Sequence, residues 1–121
     1  MELVQSDLFS AIDTPAQLDF IVSNPPYISS DKIADLQNEV SLFEPRTALD
    51  GGKDGLFFYR YLLDAAPCML KRDGKMILEI GFDQQTTLTK LQNTFPAWKS
   101  SNFLPDLQEI VRVWILGKET N

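Results

Sequence analysis

The chain contains no histidine. That removes the commonest general base near neutral pH and the commonest metal ligand. Ser-His-Asp and Cys-His catalysis are thereby excluded within these 121 residues, and no metal site is expected. One cysteine, Cys68, is present, so neither an internal disulfide nor a zinc cluster can form. Its neighbours Ala65, Ala66, Met69 and Leu70 predict a small buried hydrophobe. No apolar run approaches the ~18 residues of a membrane span, and Met1-Glu2-Leu3-Val4 lacks the basic-then-apolar order of a signal peptide. A reducing, cytoplasmic setting is the expectation. Positive charge is sparse: 11 basic against 17 acidic residues give a net charge of −6. Binding along a phosphate backbone needs a basic face, so nucleic acid is not the expected partner. Glycine is scarce as well, and the adjacent pair Gly51-Gly52 does not open a helix directly after a strand, as a nucleotide-binding loop would.

What is present is enough for one domain with a modest core, since 44% of the 121 residues are apolar. The most informative segment is Asn24-Pro25-Pro26-Tyr27, which follows the apolar run Asp19-Phe20-Ile21-Val22-Ser23. That run reads as a buried parallel strand. Both prolines have a fixed φ and no N–H, and the residue before each is pushed to extended geometry. The turn is therefore stiff, and the carbonyls around Pro25 lack local donors. In open α/β sheets the carboxyl end of a strand is where ligands bind. An amide side chain, bare carbonyls and an aromatic face there suit a planar –NH2 group. Asn24 Oδ1 and the Pro25 carbonyl accept its two hydrogens, and Tyr27 covers its plane.

The rest of the chain predicts a simple order of elements. Leu3-Val4-Gln5 reads as a short strand ending at Ser6-Asp7, followed by a loop from Leu8 to Gln17. Residues 28–55 are poor in periodicity, with Ser30-Asp31 placed to cap a short helix from Lys32 to Val40. Leu56, Tyr59, Leu63, Ala66 and Leu70 recur at helical spacing and predict a helix from Leu56 to Lys71, kinked at Pro67 and ended by Asp73-Gly74. Asp54 stands at its start, where the helix dipole favours a carboxylate. Lys75 to Ile80 is the next strand, Asp83 to Thr94 an amphipathic helix, and Trp98–Phe103 with Val111–Leu116 a closing hairpin around Pro105-Asp106. Strands separated by helices imply parallel pairing through right-handed crossovers, with an antiparallel hairpin at the end. Phe57, Phe58, Tyr59 and Tyr61 are expected to pack in the core.

These residues resemble the class I S-adenosylmethionine-dependent methyltransferases that act on planar nitrogens, and within them the glutamine N5-methyltransferases of peptide chain release factors. The likeness rests on Ile21 to Ile28 and continues through Phe43-Glu44-Pro45, Asp54-Gly55-Leu56, Glu79-Ile80-Gly81, Gln84, Asp106-Leu107 and Arg112-Val113. The tetrapeptide alone also fits adenine N6-methyltransferases of DNA or RNA, where base flipping would need a purine pocket and a basic surface. The resemblance implies that Asn24, Pro25 and Tyr27 carry the reaction, that Pro26 completes the substrate grip, and that Asp7, Leu8 and Asn24 meet the cofactor. Asp7 takes the position that faces the adenine, and Leu8 packs on its ring. It also implies a Rossmann-like fold of which residues 1–121 are one domain, the C-terminal portion of the catalytic domain, without the family's first two strands and glycine-rich loop. Binding of S-adenosylmethionine by this chain alone is then expected to be weak or absent, and the chain alone inactive or a folded remnant. The strand Phe20–Ser23 would become an exposed apolar edge that invites pairing with a second copy. Glu44 and Arg46 either shape a substrate pocket or pair with each other at the surface. Glu79 is read as structural, and Arg112 as ordering the last hairpin.

Overall fold

A computed structural model describes residues 1–13, 15–36 and 46–119. Among the described residues, four strands form one sheet in the order β1-β2-β4-β3. They are β1 (Leu18–Ser23), β2 (Leu70–Glu79), β3 (Ser100–Pro105) and β4 (Val111–Gly117). The helices are α1 (Ser30–Leu36), the short α2 (Arg46–Leu49), α3 (Phe57–Ala65) and α4 (Gln85–Gln92), with a 3-10 turn over Ala66–Cys68. β1 and β2 run parallel, with Ile21 opposite Met76 and Ser23 opposite Leu78. β4 pairs antiparallel to both β2 and β3. The expected parallel pair and closing hairpin are therefore both present. No described helix is long and apolar enough to cross a membrane.

Alternation along the strands separates two faces. Ile21, Met76, Leu78, Trp114 and Leu116 point to one side and join Tyr59, Leu62, Leu63 and Leu88 in the core. Trp98 ties the C-terminal segment to α3 by donating its indole N–H to the Leu63 carbonyl at 2.8 Å. The residues between them, among them Phe20 and Val22, face the other way; these two are 64% and 71% exposed. β1 is an edge strand of this sheet, so the expected apolar edge is present.

Four expectations are corrected. Leu3-Val4-Gln5 is not a strand: residues 1–5 are irregular and exposed, because the run is short and no neighbouring strand pairs with it. Asp7 therefore ends no strand and lies at a turn closed by Ser10 N–H donating to its carbonyl at 3.1 Å. The long helix stops at Ala65, and Leu70 to Gly74 already belong to β2. Pro67 has no N–H to continue an α-helix and is housed in the 3-10 turn. β2 then bulges, spending Leu70 to Lys75 against only Leu18 to Phe20 of β1. Cys68 is exposed, not buried. In the 3-10 turn residues three apart share a side, so Ala66 and Met69 take the inward positions and Cys68 points out. Of the four aromatics near α3, Tyr59 is fully buried while Phe57 is 55% exposed. The helix expected from Lys32 to Val40 is seen to Leu36; its remainder lies outside the described residues.

Tyr59 links the core to the end of β2 by donating its hydroxyl to the Glu79 carbonyl at 2.7 Å. Burial, with the nearby Tyr27 and Glu79 charges adding to it, pushes this phenol far above the ordinary tyrosine range. The folded state therefore keeps a proton that the unfolded chain releases. That stability is present in full below the free-tyrosine range and is lost as pH rises above it. Stability should fall above about pH 10 with a slope approaching 1.4 kcal/mol per pH unit. In Tyr59→Phe that alkaline slope should flatten, while stability at neutral pH drops by about 1 kcal/mol. Urea titrations at several pH values check both.

Candidate active site

β1 ends at Ser23, and the chain turns sharply through Asn24-Pro25-Pro26-Tyr27 at the carboxyl end of the two parallel strands. Asn24 is exposed, Pro25 buried, and Pro26 and Tyr27 half-buried. Among the described residues no hydrogen bond engages the Asn24 side chain or the Pro25 carbonyl. Two acceptors are thus left bare at the position where the sheet presents ligands.

Residues 28–30, 49–55 and 81–84 hold the turn in place. Ile28 N–H donates to Leu49 O at 3.2 Å, and Gly51 N–H returns to Ile28 O at 2.7 Å. Ser30 N–H donates to Gly52 O at 2.8 Å, and Ser30 Oγ donates to Asp50 Oδ1 at 2.7 Å. The Gly51-Gly52 pair therefore grips this turn's own backbone. Three glycines from two segments close around Tyr27. A Cβ on Gly51 would lie 2.8 Å from Tyr27 Cα, one on Gly55 would lie 2.5 Å from the Tyr27 carbonyl oxygen, and one on Gly81 would lie 3.1 Å from the Tyr27 ring. Gly55 also has φ +76°, a conformation that L side chains rarely adopt. Gln84 completes the hold: its Oε1 accepts Gly81 N–H at 2.8 Å and its Nε2 donates to Tyr27 O at 3.3 Å. Asp54 organises the approach to α3, accepting from Leu56 N–H at 3.0 Å and pairing with Arg60. The Arg60 guanidinium holds this carboxyl below its usual range.

Tyr27 is the wall between two cavities. One, of about 230 Å³, is lined by Asn24, Pro25, Pro26, Ala48, Leu49 and Glu79. The other, of about 640 Å³, holds Ile28, Lys32, Asp54, Phe82, Asp83 and Arg112 but neither Asn24 nor Pro25. A third, of about 320 Å³, brings Asn24 together with Glu79 and Arg112 on the open side of the sheet. Arg112 pairs loosely across the hairpin with Asp106, Nε to Oδ2 at 3.8 Å, and lies 6.0 Å over the Phe82 ring. Its hairpin role is as expected, but it also reaches the site. Asp7 and Leu8 line none of these three cavities. Asp7 is exposed, and Leu8 sits half-buried with φ +56°. Glu44 lies outside the described residues, and Arg46 opens α2.

No family model matches the chain. Among curated proteins, the release factor glutamine methyltransferase of Cereibacter sphaeroides is 43% identical over 107 residues, covering 88% of this chain and 37% of that protein. The corresponding protein of Clostridium botulinum is 41% identical over 96 residues, 78% of this chain and 34% of that one. The chain is a relative of the release factor glutamine methyltransferases. It spans about a third of the length of these methyltransferases. A solved release-factor-specific protein-(glutamine-N5) methyltransferase from Alicyclobacillus acidocaldarius aligns over 81% of this chain and 47% of its own, with 26% identity and a TM-score of 0.48.

Proposed function

We propose that this chain forms the acceptor side of an enzyme that methylates the side-chain amide of glutamine, at N5, in a peptide chain release factor. The observation that carries this reading is the pair of bare acceptors, Asn24 Oδ1 and the Pro25 carbonyl, beside a Tyr27 locked in place by three glycines. An amide nitrogen is a poor nucleophile because its lone pair is delocalised into the carbonyl. Two acceptors that grip its hydrogens orient the lone pair and stabilise positive charge growing on nitrogen. Neither acceptor titrates, which suits a chain without histidine. Tyr27 covers the amide plane and excludes water from it. The names of the relatives supply the reaction class, and the cytoplasm, where release factors act, is the matching compartment.

S-adenosylmethionine would supply the electrophilic methyl group. We read the described residues as an incomplete holder for it. Gly51 and Gly52 are engaged with Ile28 and Ser30, and Asp7 and Leu8 stand apart from the Asn24 cavities. In keeping with the third of the relatives' length that it spans, residues 1–121 are read as one domain, the C-terminal portion of a catalytic domain. Calorimetric titration of S-adenosylmethionine into this chain is accordingly expected to show weak binding or none; a micromolar Kd would overturn that. The exposed edge of β1, with Phe20 and Val22 beside it, supports self-pairing of the chain.

The function itself is tested by incubating the natural gene product carrying these residues with release factor and S-adenosylmethionine, then locating the product by tandem mass spectrometry. Methyl on a glutamine nitrogen is the expected result. Methyl on adenine of added DNA or RNA, with none on the protein, would replace this reading.

A further inference from the structure

We propose that Glu79 is a catalytic residue of the acceptor cavity, whose carboxylate stabilises the charge on the methylated nitrogen and then takes its proton. The proposal rests on the glutamine-amide reading above and adds a residue that reading does not contain. Parallel pairing places Ser23 opposite Leu78, so Glu79, the last residue of β2, stands level with Asn24. It lines both cavities that carry Asn24, one of them shared with Pro25 and Tyr27. It is half-buried, and among the described residues its carboxylate makes no hydrogen bond and no ion pair. Tyr59 holds the Glu79 main chain at 2.7 Å, which fixes the backbone and leaves the side chain to face the cavity. Partly buried and without a partner among the described residues, the carboxylate is available to a group bound in the cavity.

The chemistry calls for such a group. The amide nitrogen forms a bond to the methyl carbon as that carbon's bond to a sulfonium sulfur breaks, the electron pair leaving with sulfur. Nitrogen is then positive, and one of its two protons must depart to give the neutral N-methyl amide. Asn24 Oδ1 and the Pro25 carbonyl can accept hydrogen bonds, but amide oxygens are very weak bases. A carboxylate is far more basic and can take the departing proton and pass it to water. With no histidine in the chain, Glu79 is the carboxylate that the described residues place in the cavity of Asn24 and Pro25.

The test uses Glu79→Gln, which preserves shape and the backbone bond from Tyr59, in the natural gene product with release factor as substrate. We expect kcat to fall about 10²-fold or more with KM within about twofold. Binding of a glutamine peptide over its glutamate counterpart should also narrow by at least about threefold in the variant, since one negative charge has left the cavity. Wild-type kcat in E79Q, with Asn24→Ala inactive, overturns the role of Glu79 and leaves the glutamine reading standing. No methylated glutamine even from the wild type removes both. Should E79Q fold poorly, Glu79→Asp, which withdraws the carboxylate by one methylene, decides: a loss of about tenfold in kcat at constant KM supports the proposal, and an unchanged kcat overturns it.

Discussion

Asn24→Ala is expected to lower glutamine methylation by about 10²–10³-fold, the loss measured when one preorganised partner of a developing charge is removed. The nucleophile sets the requirement. An amide gains a usable lone pair only when its nitrogen is held out of full conjugation, and one acceptor cannot fix both N–H directions. The Pro25 carbonyl would remain, on a turn still pinned at Ile28 and Gly51. The acceptor would then bind in many orientations, so the loss should fall mainly on kcat. The fold should not respond, because Asn24 is exposed and its side chain makes no hydrogen bond among the described residues. Single-turnover methylation of release factor by the gene product, alongside a thermal melt, checks both halves. Activity within about threefold of wild type would contradict the assigned role.

Trp114→Ala is expected to be the most damaging change to the fold, at about 3–5 kcal/mol. Trp114 is fully buried at the centre of the sheet, opposite Leu78 on one side and Phe103 on the other. It stacks on Phe103 at 5.5 Å with the rings 4° from parallel, and it meets Tyr59 at 6.4 Å. Its indole N–H donates to Ser101 Oγ at 2.7 Å. Truncation leaves a cavity between β4 and α3 and strands that hydroxyl. Since small domains hold together by only about 5–15 kcal/mol, the variant should be largely or wholly unfolded at moderate urea. Trp114→Phe, which keeps most of the volume and loses the donor, should recover more than half of the difference. Circular dichroism through a urea titration is the measurement.

Much of this is legible in the sequence. The strand before Asn24, the rigid tetrapeptide and the closing hairpin announce themselves locally, through an apolar run, two prolines and a turn at Pro105-Asp106. The beginning of β2 does not. Leu56, Tyr59, Leu63, Ala66 and Leu70 satisfy helical spacing, yet the last of them is already in a strand. Short apolar runs fit either element, and the neighbouring β1 decides between them. Leu3-Val4-Gln5 fails for the converse reason, a strand-like run with no strand to pair with. The support around Tyr27 is invisible locally because Gly51, Gly55, Gly81 and Gln84 come from stretches that only folding joins. Glu79 reads as structural in the sequence for the same reason: its place beside Asn24 depends on the register between β1 and β2.

The outward turn of Cys68 has a practical consequence. It is the sole thiol, it is exposed, and it lies just before Leu70, at the end of the sheet away from Asn24. The five strand steps from Leu18 to Ser23 separate the two ends by about 17 Å. A maleimide dye would therefore attach at one defined position, leaving Asn24, Pro25 and Tyr27 unmodified. Energy transfer from that dye to a labelled release factor would test whether the two proteins meet and over what distance.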